Sequence, residues 1–290
     1  MKLRRLILSL ATSVVLVTLS CLGAGEALSR PASRLIGEAP PDLQARAVTL
    51  PLAGGGQVVG WAVQGQPGHG TVLLLHGVRS DRRQMTERAR LLRREGYSTL
   101  LIDLPAHGES SGERISFGLR EAEGVKAALA WLRRARPGEP VGVIGVSLGA
   151  ASLVLAHAEP APDAVVLESM YPTIADAVTD RLARQLGATS AQALAPMLLW
   201  QLPLRLGISA DELRPVEAIR SLHSPVLIAA GAQDLHTTLA ESRRIFDAAP
   251  EPKRFWPVEG AAHVDLYVHA PKAYEAQLLP FLAQYMAPRS

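Results

Sequence analysis

Three residues far apart in the chain, Ser147, Asp234 and His263, are of the types that together break acyl bonds. A serine hydroxyl is a weak nucleophile until an imidazole takes its proton. The imidazole in turn needs a carboxylate to fix its tautomer and stabilise its cation. Ser147 lies in "VGVIGVSLGAAS", between Gly145 and Gly149 and directly after an apolar run. Asp234 lies in "IAAGAQDLHT" and His263 in "VEGAAHVDL", each just past a β-rich run. The order Ser, Asp, His, each at the end of a strand, brings all three to one sheet edge, where open α/β sheets bind ligands.

A Gly-x-Ser-x-Gly match alone is weak, because glycine supplies 24 of 290 residues. Placement gives it weight. "PVGVIGV" reads as a strand running straight into Ser147, and a helix starts at Leu148. A turn of that kind forces the serine backbone into a tight conformation and lifts its hydroxyl over the sheet edge. A Cβ at Gly145 or Gly149 is expected to strike a neighbouring strand or helix. The helix N-terminus aims free N–H groups and a partial positive charge at any oxyanion formed there. Leu148 supplies one such N–H. The second is assigned to Val78, with Arg79 as its alternative, in "LLLHGVRSD". A purely structural Gly/Ser turn is the competing reading.

Other residues of suitable type receive other roles. Glu168, at the end of "VVLES", is the second choice for the acid. His236, His269, Asp265 and Asp211 are nearby rivals; the two histidines are assigned to packing or surface, and His76 to propping the loop before Val78. Asp103 and His107, in "DLPAHGES", are expected to brace a turn rather than react.

These side chains need a scaffold, and the pattern supplies one. "ARAVTLPL" and "QVVGWAVQ" flank three glycines and read as a hairpin. "TVLLLHG", "YSTLLIDL", "PVGVIGV", "DAVVLES", "SPVLIAAG" and "RFWPVEG" are further strands. Helices are expected over 82–95, 117–135 and 265–285 and directly after Ser147. Strand–helix alternation predicts a doubly wound, mostly parallel α/β sheet. Residues 172–214 break the rhythm with several helical patterns and no strand, which predicts a helical cap inserted over the carboxyl edge. Within it Met197, Leu198, Leu199 and Trp200 are expected to form an acyl or aryl pocket, with Met197 and Trp200 as the substrate-binding residues. Ordinary crossover helices are the plainer alternative.

The N-terminus is a separate problem. "MKLRR" is followed by residues 6–25 without a charge. Basic flank, apolar core and small residues predict an export segment over 1–27, with a small-x-small site at Gly25-Glu26-Ala27. The same stretch is long enough to remain as a membrane anchor. "TLSC" also resembles a lipoprotein box ending at Cys21, although Thr18 stands where leucine is usual. Residues 28–43, rich in Pro, Ser and Ala, read as a linker before a domain over 44–290. Export places the protein in the periplasm, outside the cell or on a membrane.

With 48% hydrophobic and 20% charged residues and a net charge of +3, the chain is globular rather than disordered. Its arginines are scattered, without a basic block interleaved with aromatics, so no nucleic-acid partner is expected. The single cysteine, Cys21, excludes an internal disulfide framework and a cysteine-based metal cluster.

"LLLHG", "DLPAHGES", "GVSLG", "GAQD" and "GAAH" together resemble the α/β-hydrolase superfamily over about residues 45–288. Within it the pattern is similar to the esterase, lipase and serine aminopeptidase-like group. The resemblance implies an eight-stranded sheet, a Ser147–Asp234–His263 triad, an oxyanion hole at Val78 and Leu148, and no cofactor or metal. Relatives often carry Gly-His-Gly-x-Ser in the bracing turn, and here Ala106 replaces the first glycine. The expectation is a serine hydrolase acting on a small-molecule carboxylic ester. Acyl transfer, peptide or amide hydrolysis by the same triad, and an idle binding protein on the same fold are the alternatives.

Overall fold

The computed structural model describes residues 2–287. Met1 of the expected export segment and the last three residues of the expected 44–290 domain therefore lie outside the described residues. The hairpin is formed by β1 (Arg46–Pro51) and β2 (Gln57–Val63). Then follow β3 (Thr71–Leu75), β4 (Ser98–Ile102), β5 (Val141–Val146), β6 (Ala164–Glu168), β7 (Val226–Gly231) and β8 (Lys253–Val258). These make one eight-stranded sheet in the spatial order β8-β7-β6-β5-β3-β4-β2-β1. All neighbours pair in parallel except β2 with β1 and with β4. The chain leaves β3 toward β4 on one side and returns to β5 on the other. That reversal opens a crevice beyond the carboxyl ends of β3 and β5, the place where such sheets bind ligands.

The inner strands are apolar without alternation because helices cover both faces. Every residue of β3, β4, β5, β6 and β7 is buried. In chain order the first helices are α1 (Lys2–Ser29), α2 (Thr86–Arg94), α3 (Glu121–Ala135) and α4 (Leu148–Leu155). Next come α5 (Ile174–Leu186), α6 (Ala188–Leu199), α7 (Gln201–Leu206) and the short α8 (Pro215–Ala218). The last are α9 (Leu239–Ala248), α10 (Leu266–His269) and α11 (Pro271–Tyr285). One core cluster joins Val125 and Leu129 of α3, Leu153 of α4 and Ile245 of α9 to one sheet face. The other joins Leu92 of α2 and Phe281 and Leu282 of α11 to the opposite face.

Three helix boundaries depart from the periodicity, each for a local reason. The pattern over 82–95 is split: Arg82–Met85 is a tight 3-10 turn capped by the Asp81 side chain, and α2 follows it. The helix expected from 117 begins at Glu121, because Phe117 and Gly118 sit at positive φ and Glu121 accepts the Ser116 and Gly118 N–H groups. The closing helix breaks at Ala270, since Pro271 disfavours a helical residue before it.

The apolar N-terminal stretch is a single helix that runs to Ser29, beyond the expected boundary at 27. Residues 28–43 do not behave as a free linker. Ala32–Ser33 pairs in parallel with His107–Gly108. Glu109 Oε1 accepts the Ile36 and Gly37 N–H groups, and Leu43 is buried in the core. Composition alone suggested a linker, but these backbone groups are satisfied by the bracing turn.

Between β6 and β7 the chain makes α5, α6 and α7, and α5 carries a titratable joint to the domain. Asp180 of α5 faces Glu241 of α9. Burial and the neighbouring Asp180 carboxyl push Glu241 up to about 7. The protonated form is thus favoured in the folded protein. Its stabilisation is complete below the ordinary value of 4.5 and is lost as pH rises to about 7. Glu241→Gln keeps an acceptor for the Thr238 N–H at the α9 N-terminus. Thermal melts across this range should show a downward slope with pH that is shallower in Glu241→Gln; equal slopes would contradict the assignment.

Candidate active site

Ser147 stands at the junction of β5 and α4 with φ 50° and ψ −107°. Non-glycine residues held at such angles cost about 1–3 kcal/mol and persist only where their surroundings enforce them. Here the Ser147 N–H donates to Glu168 O at 2.8 Å, and Ser147 O accepts from Ala151 at 3.0 Å. The two glycines permit the approach. A Cβ at Gly149 would lie 2.6 Å from Leu75 O in β3, and one at Gly145 would lie 2.6 Å from Ala150 N in α4.

Asp234 and His263 come from the turns after β7 and β8. These turns press together at Gly231, where a Cβ would lie 2.5 Å from the Ala261 and Ala262 carbonyls. The Gln233 N–H also donates to Ala261 O at 2.8 Å. Asp234 is buried and its carboxylate is saturated. Oδ1 accepts the His236 and Thr237 N–H groups at 2.7 and 3.0 Å. Oδ2 accepts Thr237 Oγ1 at 2.9 Å and the His263 ring at 2.7 Å. Burial would raise this carboxyl, but the His263 bond and the Thr237 and His236 amides outweigh it and hold it below the usual value. His263 Nδ1 is the donor to an acceptor-only carboxylate, which leaves Nε2 able to accept a proton. Ser147 and His263 line the same cavity without a direct hydrogen bond between their side chains. Such bonds commonly tighten only around substrate.

Val78, Ser147 and Leu148 meet at the floor of this cavity. Among the described residues, neither the Val78 nor the Leu148 N–H has an acceptor. The loop carrying Val78 is held from below. His76 is fully buried; its Nδ1–H donates to Gly77 O at 2.7 Å, and its Nε2 accepts the Leu104 N–H at 3.0 Å. Burial lowers its pKa to about 3, so the neutral ring that both bonds require is maintained. Gln84 Oε1 accepts the Gly77 N–H at 2.9 Å. A Cβ at Gly77 would make ordinary contacts with Gln84 Oε1 at 3.6 Å and with Ser147 Cβ and Val146 O at 3.8 Å, so a methyl group would fit there. Asp103 is buried against Arg82, which also grips Glu109, and Asp103 accepts the Arg82 and Glu109 N–H groups. Ala106 adopts φ 62°, a left-handed conformation.

The cavity has a volume of about 340 Å³. Beyond the residues already named, its walls come from Phe117, Tyr171, Ile174, Val178, Leu182 and Leu198, and from Ala24, Ala27 and Leu28 of α1. Leu199 lines a smaller adjoining space of about 30 Å³. Two expected lining residues are misplaced. Met197 faces neither space, and Trp200 is 66% exposed, because α6 turns its Leu198 face inward.

A model of the family described as "Serine aminopeptidase, S33" matches residues 66–213, about half the chain. The chain belongs to this α/β-hydrolase family. It is 34% identical over 196 residues to the uncharacterized protein Rv2307c of Mycobacterium tuberculosis, 67% of this chain and 63% of that one. The match thus spans less than two thirds of the mycobacterial relative's length. Similarity to YqkD of Bacillus subtilis is 23% over 244 residues, 83% of this chain and 80% of that protein. In three dimensions it resembles the Pyrococcus furiosus esterase Pf2001, with a TM-score of 0.74 and 21% identity over 89% of this chain and 98% of the other. The esterase EaEST from Exiguobacterium antarcticum gives 0.62 and 14%, over 82% and 99%.

The remaining residues of suitable type find other places. Glu168 is fully committed to Arg88, at 2.6 Å, and to Tyr274 OH, at 2.5 Å. Asp265 caps α10 and binds Arg88 at 2.7 Å. His269 lies against Glu259 O at 3.2 Å, and Asp211 is exposed near Arg214. His236 is the residue that sequence reasoning undervalued. It lines the cavity, its ring lies edge-on to His263 at 5.2 Å, and its Nε2 accepts from Arg184 of α5 at 2.6 Å. Burial, His263 and nearby arginines lower its pKa, favouring the neutral ring. Its adjacency to the acid was the available signal.

Arg88 spans both halves of this site, because Glu168 supports Ser147 and Asp265 follows His263. Arg88→Met should cost about 3–5 kcal/mol in urea unfolding, since it strands a buried carboxylate. Adding Glu168→Gln should recover more than half of that loss; strictly additive losses would show that the pair is not coupled.

Proposed function

We propose that the protein is a serine hydrolase that cleaves carboxylic esters through an acyl-enzyme. The observation that carries this reading is the 2.7 Å His263–Asp234 hydrogen bond on the wall of the cavity that Ser147 also lines. Ser147 Oγ attacks the acyl carbonyl carbon while His263 Nε2 takes its proton. Asp234 holds the imidazole in the required tautomer and stabilises the imidazolium. The Val78 and Leu148 N–H groups bind the oxyanion. Collapse of the tetrahedral intermediate breaks the ester C–O bond, and His263 protonates the departing alcohol. Water activated by His263 then releases the acid and restores Ser147.

The lining favours esters over the peptide substrates that the family's description suggests. An aminopeptidase must hold a free α-ammonium group, for which a carboxylate is the natural partner. Around this cavity the charged side chains besides the histidines are Arg79 and Arg181, and the rest is mostly apolar. That surface suits an uncharged acyl chain. Structural neighbours that are esterases agree with this choice.

Ser147→Ala should abolish p-nitrophenyl butyrate turnover and fluorophosphonate labelling while leaving the melting temperature nearly unchanged. Turnover or labelling that persists in Ser147→Ala would refute the assignment.

A further inference from the structure

α1 has two parts of different character. Among the described side chains from Leu3 to Leu19 the large apolar ones are exposed, at 43–69%. Its final turns are built into the domain. Gln201 Nε2 donates to Cys21 O at 3.0 Å and Arg205 Nη2 to Leu22 O at 2.6 Å. Glu26 pairs with Arg205 at 2.6 Å and Arg114 at 3.0 Å. A Cβ at Gly25 would lie 2.3 Å from Gln201 Oε1, so this side of the helix is close-packed. Arg79, the neighbour of Val78, donates to Ala27 O at 3.1 Å and Arg30 O at 3.3 Å. Ala24, Ala27 and Leu28 then complete the cavity wall beside Ser147.

We propose that α1 is retained as a membrane anchor whose docked end, Cys21–Ser29, walls the catalytic cavity, so that the enzyme draws long-chain acyl esters from the bilayer. The substrate half of this proposal rests on the hydrolase reading above. A segment destined for removal has no reason to satisfy Arg205, Arg114 and Gln201. Cleavage before Leu28 would remove Glu26 from Arg205 and Arg114 and the Cys21 carbonyl from Gln201, and would take Ala24 and Ala27 out of the cavity wall. The free part suits a membrane. At 1.5 Å per residue, the uncharged residues 6–20 span about 22 Å, a short crossing of a hydrocarbon core about 30 Å thick that a bilayer meets by local thinning and by snorkelling of the flanking cations. Thr12 and Thr18 turn their hydroxyls back onto Leu8 O and Val14 O at 2.9 Å, so neither presents an unpaired donor to lipid. Lys2, Arg4 and Arg5 flank the far end, which orients that end to the cytoplasm and the domain to the opposite side. Trp200 and Leu204, 66% and 70% exposed, adjoin the residues that grip α1. Their place there is that of an interfacial anchor, with the indole at headgroup level.

The test uses the full chain expressed in a bacterial host with a C-terminal tag. Membranes are washed with carbonate, treated with a long-chain alkyl fluorophosphonate bearing a diazirine at its far end, irradiated and analysed by mass spectrometry. Expected are an intact N-terminal helix in the washed membrane, phosphonylation of Ser147 with loss of fluoride, and a crosslink within residues 21–29. A soluble labelled protein beginning near Leu28, or a lipid-modified N-terminus at Cys21, would overturn retention and leave the hydrolase reading intact. Crosslinks confined to α5 and α6 would overturn the wall. An intact membrane-bound chain without label would refute the hydrolase reading and the substrate half with it, while the anchor would stand.

Discussion

The site depends on a buried guanidinium. Arg88 lies on a helix of one sheet face, yet its three nitrogens reach Glu168 at the end of β6, Tyr274 of α11 and Asp265 beyond β8. An arginine without exposed surface is costly unless each donor is met, and here the partners are two carboxylates and a phenol. Burial opposes its charge, but Glu168, Tyr274 and Asp265 together raise its pKa, so it remains cationic. The geometric consequence exceeds the energetic one. Glu168 O receives the Ser147 N–H, and Asp265 lies two residues after His263, so one side chain ties the hydroxyl's turn to the imidazole's turn.

A second polar cluster does the same for the loop that carries Val78. Arg82 joins Asp103 and Glu109, and Glu109 reaches on to the backbone at Ile36 and Gly37. Burial raises Asp103 despite this partner, whereas Glu109, hydrogen-bonded by Arg82, is held low. The neutral His76 then joins this brace to the strand end through Leu104 N. Polar residues bearing no chemistry of their own thus fix the positions of those proposed to react.

Much of this was legible in the sequence because its signals are local. Buried parallel strands read as unbroken apolar runs, and Ser147 lay between a strand and a helix with a glycine on either side. Asp234 and His263 were legible through their place after strands. Long-range pairing was not. Nothing in the spacing of Arg88, Glu168 and Asp265 announces one cluster, and Glu168 therefore looked like a rival acid. Trp200 was read as lining because apolar character does not say which way a helix face turns. The supposed linker was misjudged because proline and serine content reports local propensity, whereas Glu109 and the 107–108 backbone capture that segment from far along the chain. His236 needed the fold to bring its ring against His263.

The close approach at Gly149 has a mechanical consequence. With backbone atoms of α4 and β3 in contact, the serine turn and the loop that carries Val78 move as one body. Neither can swing aside to admit a bulky molecule. Entry and exit must come from the roof, where α5, α6 and the end of α1 meet the cavity through side chains rather than through a shared backbone seam. The floor is held rigid, and the side-chain contacts that could part to admit a ligand lie above it.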